Sequence, residues 1–238
     1  MSTDVPPTHN RTVKQTTHSK DDALTDREFQ LLLEGAGAMR DYYGQQARFI
    51  TLVAGRLGLR SGEIAHMRED WIDWRRNMIV VPRHQACEKG EDGGICGYCR
   101  AQAKQRVEHN EEMTLDEALR YSWSAKTDAA AREVPFDFDP RTELAIERFF
   151  DRYEEYPCSR QSINRRIKRA AEEAPELDPD DIYPHCLRAT AATAMAARGL
   201  DILPMQSMFG WSDISTAQAY IAQSGENTAR ALHSIHSR

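Results

Sequence analysis

After position 142 the chain carries only helical patterning. The segments TELAIERFFDRYEEY, QSINRRIKRAAEEA, HCLRATAATAMAARG, LPMQSMFG and ISTAQAYIA follow one another, and GENTARALHSIH comes last. β-like sequence is confined to three short stretches, NMIVVP at 77–82, YSWSAKT at 121–127 and REVPF at 132–136. This distribution predicts a mainly α fold with a small antiparallel β-sheet (α+β).

The first half supplies its own boundaries. Thr25-Asp26-Arg27-Glu28 has the form of a capping box, with Phe29, Leu32 and Leu33 following at helical spacing. A second helix is expected over about 41–57, stopped by Gly58, and a third over SGEIAHM with Ser61 as its cap. Residues 1–23 are polar and aperiodic, which reads as a disordered tail, and 24–238 reads as one domain. Residues 84–118, rich in Cys, Gly and charge, interrupt the β-like stretches as an insertion. No apolar run approaches the ~20 residues needed to cross a bilayer, so a soluble, cytoplasmic protein is expected.

The net charge of −6 argues at first against a polyanionic partner. It is an average over uneven parts. Only six of the 31 basic residues are lysine, and with Asp and Glu abundant this resembles the composition of salt-loving archaea. The acidity then reflects the host cytoplasm rather than the partner. Within the chain, SRQSINRRIKRAA reverses the sign locally: Arg160, Arg165, Arg166, Lys168 and Arg169 share one helix with no acid among them.

The Ala-rich segment YPHCLRATAATAMAARG begins with His185 and Arg188, three apart and so on one helix face, which suggests an anion at that end. Arg60 precedes the third helix, Lys126 lies on a β-like stretch just before a turn, and Trp211 and Tyr220 follow in FGWSDIST and AQAYI. Together these residue types suit metal-free chemistry on a phosphodiester. Two guanidiniums stay charged and donate in a planar fork, matching a pentacoordinate phosphorane. A tyrosine, with a reference pKa of about 10, needs such a cationic neighbourhood to act as a nucleophile. A lysine, unlike an arginine, can give up a proton, and an indole N–H donates only.

In order and approximate spacing, Arg60, Lys126, His185, Arg188, Trp211 and Tyr220 resemble the active-site set of the tyrosine recombinase, or phage integrase, family. The resemblance covers most of 24–238 and corresponds to that family's catalytic domain. It implies a site-specific recombinase that cleaves and rejoins DNA through a 3′-phosphotyrosyl intermediate on Tyr220. Lys126 would protonate the departing 5′-oxygen, and His185 would assist proton transfer or bind the phosphate. Trp211 stands where many members have histidine. Double-stranded DNA is the implied partner, four protomers on two duplexes the active assembly, and no cofactor is required for catalysis. The basic helix would lie against DNA, and the segment after Tyr220 is a candidate for docking into a neighbouring protomer. A type IB topoisomerase-like relaxing enzyme and a non-cleaving DNA-binding regulator are the alternatives on the same fold.

Two departures accompany the resemblance. Members usually carry an amino-terminal helical domain that clamps the duplex, and here about twenty residues precede the matching region. The other is HQACEKGEDGGICGYC, where family members have a short turn. His84-x-x-Cys87 and Cys96-x-x-Cys99 form two ligand pairs across a Gly-rich turn, spacing suited to tetrahedral Zn2+, with His109 a substitute ligand and free thiols the alternative. A structural zinc in the 84–99 loop is therefore expected. Cys158 and Cys186 stand apart from it.

Overall fold

The structure, a computed structural model, describes residues 22–110 and 112–222, with isolated positions from 228 to 236. The expected tail, apart from its last two residues, lies outside the described residues, and so does most of the segment expected to dock into a neighbour.

The fold is mainly helical with one three-stranded sheet, as the patterning predicts. Helix α1 (Asp26–Ala38) begins at the capping box: Thr25 Oγ1 accepts from the Glu28 amide at 3.2 Å, and the Glu28 carboxylate accepts from the Thr25 amide at 2.8 Å. Helix α2 (Asp41–Gly55) runs through the centre, with ten buried residues including Phe49, Ile50, Leu52 and Val53. It packs on α1, on α6 (Pro140–Phe150), on α7 (Arg160–Glu172) and on α8 (Pro184–Ala197). The chain leaves α2 through Gly58 at φ +69°, where a Cβ would collide with the Phe209 ring. That tight exit sets Arg60 at the head of α3 (Ser61–His66). Alanines make α8 a narrow rod, with Ala189, Ala191, Ala192 and Ala196 buried against its neighbours.

Strands β1 (Ile72–Asp73), β2 (Met78–Val81) and β3 (Arg132–Pro135) pair antiparallel in that order, with Ile72 opposite Ile79 and Ile79 opposite Val134. Ile79 and Val134 point into the core, while Val80 and Glu133 face outward, the alternation that fixes register. Between β2 and β3 the insertion carries α4 (Gly97–His109) and α5 (Leu115–Arg120). The strand expected at 121–127 does not form. Its remnant is a single bridge between His84 and Ser124, flanked by hydrogen bonds from Gln85 N to Trp123 O at 2.8 Å and from Ala125 N to Arg83 O at 3.0 Å. A short helical turn, 128–130, then takes the chain into β3. Helices α9 (Ile202–Phe209) and α10 (Ile214–Ile221) pack on each other beside α8. No described helix is long and apolar enough to cross a membrane.

Candidate phosphoryl-transfer site and cysteine cluster

The site is built on the carboxyl end of α9. A helix leaves its last carbonyls without intrahelical partners and its dipole negative there. Three consecutive carbonyls are taken by three arginines from distant elements. Arg132 of β3 donates from Nε to Met208 O at 2.7 Å, Arg188 of α8 from Nη2 to Phe209 O at 2.5 Å, and Arg60 from Nη2 to Gly210 O at 2.9 Å. Arg188 also donates to the Gly58 carbonyl. Gly210 is left-handed at φ +58°, and a Cβ there would lie 2.8 Å from Ala129 O, so this turn admits no larger residue without displacing the chain before β3.

One carboxylate binds two of these guanidiniums. Glu63, in the first turn of α3 and 2% exposed, accepts from Arg132 at 2.9 and 3.0 Å and from Arg60 Nη1 at 2.8 Å. Its other acceptance, from the Arg60 amide at 2.8 Å, caps the helix. Arg60 is therefore the N-cap residue, and Ser61, expected to cap, is the first helical residue. Burial alone would raise the Glu63 pKa, but the charges and hydrogen bonds of Arg132, with Arg60 and Arg188 beyond, overcome it and hold the carboxyl down at about 2. Arg188, 4% exposed, is pushed down to about 9, first by desolvation and then by the charge of Arg60. Three guanidiniums against one carboxylate leave two positive charges in excess, an arrangement that an anion would complete.

The aromatic pair completes this surface. Trp211 stacks on Phe209 with ring centroids 4.8 Å apart, and Tyr220 of α10 stacks on Trp211 at 5.4 Å and 6°. The Arg188 guanidinium lies 5.7 Å from the centroid of the Trp211 ring, on which the Tyr220 ring of the same chain stacks, and Arg188 and Tyr220 interact electrostatically. His185 opens toward solvent at the start of α8. Its pKa is lowered by partial desolvation and then by the charges of Arg188, Arg60 and Lys126, with the charge of Asp22 opposing them. Lys126 is exposed and lies in the irregular stretch after the His84–Ser124 bridge, not on a strand. Glu63 and Arg132 are the members that sequence reasoning missed. The signal for Glu63 was its position three residues after Arg60, in helical register.

The basic helix α7 divides by environment. Its apolar side, Ile163, Ile167, Ala170 and Ala171, is buried. Arg166 donates to Gln46 Oε1 at 3.1 Å and covers the Tyr43 ring at 4.1 Å, and Lys168 pairs with Asp180 at 2.5 Å. Arg160 turns toward α3, donating to Ser61 Oγ at 3.0 Å. Arg165 and Arg169, one helical turn apart, are exposed, as Arg160 is, and Arg165 also donates to Ser162 Oγ at 3.3 Å.

The cysteines of the insertion converge, but on a different histidine. Cys87, Cys96 and Cys99 bring their sulfurs to 3.6, 3.5 and 3.3 Å from Nε2 of His66, the last residue of α3. His84 instead stacks on Tyr121 at 5.5 Å and is exposed, held there by the bridge to Ser124. His109 is exposed at the end of α4, its Nδ1 against Gln105 O. The Cys87 thiol is drawn down to about 3, chiefly by a hydrogen bond from Cys99, while Cys99 is raised by the same contact. Cys158 and Cys186 lie outside the cluster.

The chain belongs to the phage integrase family: residues 23–227 match that family. It is 27% identical over 209 residues to the tyrosine recombinase XerA of Thermococcus kodakarensis, covering 88% of this chain and 61% of that protein. It is 31% identical over 214 residues to the tyrosine recombinase XerD of Xanthomonas axonopodis pv. citri, covering 90% of this chain and 62% of that one. The chain thus spans less than two thirds of the length of these relatives. In fold it is similar to the Tn1549 transposon integrase solved in complex with transposon right-end DNA, with a TM-score of 0.63 at 18% identity, covering 95% of this chain and 69% of that one.

Proposed function

We propose that this protein is a site-specific DNA recombinase that cleaves and rejoins strands through Tyr220. The observation that carries this reading is the concentration of Arg60, Arg132 and Arg188 on one helix end, with a net positive charge, and the Trp211 ring that both Arg188 and Tyr220 of the same chain lie against. Membership of a family that includes the Xer tyrosine recombinases supports it.

In the proposed reaction Tyr220 Oη attacks the scissile phosphorus as the bond to the 5′-oxygen breaks, giving a 3′-phosphotyrosyl link and a free 5′-hydroxyl. Arg60 and Arg188 neutralise the added charge on the equatorial oxygens, the type of stabilisation worth about 10²–10³ in rate per donor. Desolvation and then its cationic neighbours lower the pKa of His185 and favour the neutral imidazole, so it can accept the phenol proton or hydrogen-bond the phosphate. Lys126 gives a proton to the leaving oxygen. A 5′-hydroxyl from a partner duplex then reverses the step. The phosphotyrosyl ester conserves the energy of the broken bond, so neither ATP nor a catalytic metal enters. Double-stranded DNA is the substrate, and exchange between two duplexes requires four protomers. Arg165 and Arg169 on the open side of α7 would meet the DNA backbone.

The test is covalent trapping on a pool of nicked suicide duplexes with randomised flanks, beside a supercoil-relaxation assay. The wild type should yield an SDS-resistant adduct that Tyr220→Phe abolishes while remaining folded. Lys126→Ala should slow adduct formation by about 10²–10⁴, and a 5′-bridging phosphorothiolate, whose sulfur leaves without protonation, should restore it. Absence of any wild-type adduct would favour a non-cleaving DNA-binding regulator. Relaxation without exchanged product would favour the swivelling enzyme.

A further inference from the structure

The cysteine cluster has the geometry of a coordination sphere. His66 Nδ1 lies 2.8 Å from the Gly62 carbonyl, an acceptor only, so this nitrogen bears the proton and Nε2 presents a bare lone pair. Three thiols surround that lone pair at 3.3 to 3.6 Å, although a single lone pair accepts only one of them as a donor. Four ligands at standard Zn–S and Zn–N lengths would stand with each sulfur about 3.6 Å from the nitrogen and about 3.8 Å from the other sulfurs. The four ligand atoms here all lie within 4.8 Å of one another.

The surroundings fit as well. The His66 bond to a backbone carbonyl is the kind of outer contact that orients metal-ligating imidazoles. Cys96 Sγ accepts from the Cys99 amide at 3.5 Å, which stabilises a thiolate. The strands of the loop are drawn together by Gly90 N donating to Gly94 O at 2.7 Å. A Cβ on Gly90 would lie 2.6 Å from that oxygen, so the turn between Cys87 and Cys96 closes only with glycine there.

We infer that His66, Cys87, Cys96 and Cys99 bind one Zn2+ and that this ion fastens the inserted segment to α3. Three thiolates and one imidazole, with all four positions filled by protein, form a structural rather than a catalytic zinc site. The consequence reaches the other end of the same short helix. Tyr98, one residue before Cys99, packs over Gly62, where an added Cβ would lie 2.7 Å from its Oη. Arg160 covers the Tyr98 ring at 5.0 Å while bonding to Ser61. The ion therefore anchors the carboxyl end of the helix whose amino end is Arg60, and through Tyr98 it braces the first turn of α7. This inference is independent of strand cleavage, since it concerns what the purified chain holds before any DNA is present.

The test is metal analysis of the full chain purified under reducing conditions. One zinc per chain is expected in the wild type and in His84→Ala, and less than about one fifth of that in His66→Ala and Cys99→Ser. Because those losses could follow from misfolding, His66→Cys supplies a check: it should fold and retain one metal in a site of four thiolates. Reconstituted with Co2+, it should show the visible bands of a tetrahedral ion, with thiolate charge-transfer absorption roughly one third stronger than wild type, in proportion to thiolate number. Zinc lost in His84→Ala, zinc retained in His66→Ala, iron in place of zinc, or a wild-type chain without metal would each overturn the assignment.

Discussion

The arginine cluster and the cysteine cluster sit at opposite ends of one six-residue helix, yet they are assembled in opposite ways. In the first, Arg60, Arg132 and Arg188 arrive from distant parts of the chain and are positioned by backbone carbonyls and one buried carboxylate. In the second, three cysteines come from one short stretch, 87–99, and only the fourth member, His66, belongs to another element. The cationic site thus depends on the whole helical scaffold, while the thiol site needs a local turn and one helix end. Disturbing the scaffold should therefore damage the first far more than the second.

The largest effect is expected at Glu63. Glu63→Ala leaves Arg132, itself 8% exposed, buried without its carboxylate, and breaking such a pair costs about 3–5 kcal/mol. Chemical denaturation measures the loss. A change below about 1 kcal/mol would mean that the carbonyls of α9 hold the arginines unaided. The same carboxylate sets an acid limit. Its folded pKa of about 2 lies below the ordinary 4.5, so its stabilisation is complete above pH 4.5 and is lost as pH falls toward 2. Up to about 3 kcal/mol is at stake. In Glu63→Gln, that part of the acid dependence should disappear from stability measured across this window.

A smaller effect concerns His185. Its pKa is depressed below 6.5 by desolvation and surrounding cations, so adduct formation should hold steady from pH 7.5 down to about 6.5 and fall only at lower pH. A midpoint above 6.5 would mean that the charge of Asp22 outweighs desolvation and the surrounding cations at this histidine. The smallest effects belong to α7. Arg165→Ala and Arg169→Ala should each change stability by less than about 0.5 kcal/mol and lower the salt dependence of DNA binding by about one counterion. Lys168→Ala, which removes a residue already paired with Asp180, should alter that slope less. Equal slopes for all three would show that the helix does not meet DNA by its open side.

The contrast also explains what the sequence made legible. The mainly α fold followed from unbroken helical periodicity after residue 142, and the capping box at Thr25 and Glu28 is present as expected. The six candidate residues could be picked out because together their order and approximate spacing resemble one family's active-site set, and Glu63 was missed because an acid near an arginine commonly marks a surface pair. Its role emerges only when Arg132 arrives from another element. Spacing within the Cys-rich loop selected His84 because it lies closest in sequence. Pairing of 83–85 with 123–125 turns that side chain away, and α3 delivers His66 instead. The strand expected at 121–127 failed for a related reason: the insertion shifts this segment beyond the end of the sheet, leaving one bridge where a ladder was anticipated.

The central claim, that the phenol of Tyr220 attacks a phosphate held by these guanidiniums, is tested most directly by identifying the modified residue. Adduct trapped on a suicide duplex, digested with nuclease and protease and analysed by tandem mass spectrometry, should contain a 3′-phosphonucleotide on the peptide bearing Tyr220, attached to its phenol oxygen. A nucleotide found on any other side chain would contradict the account.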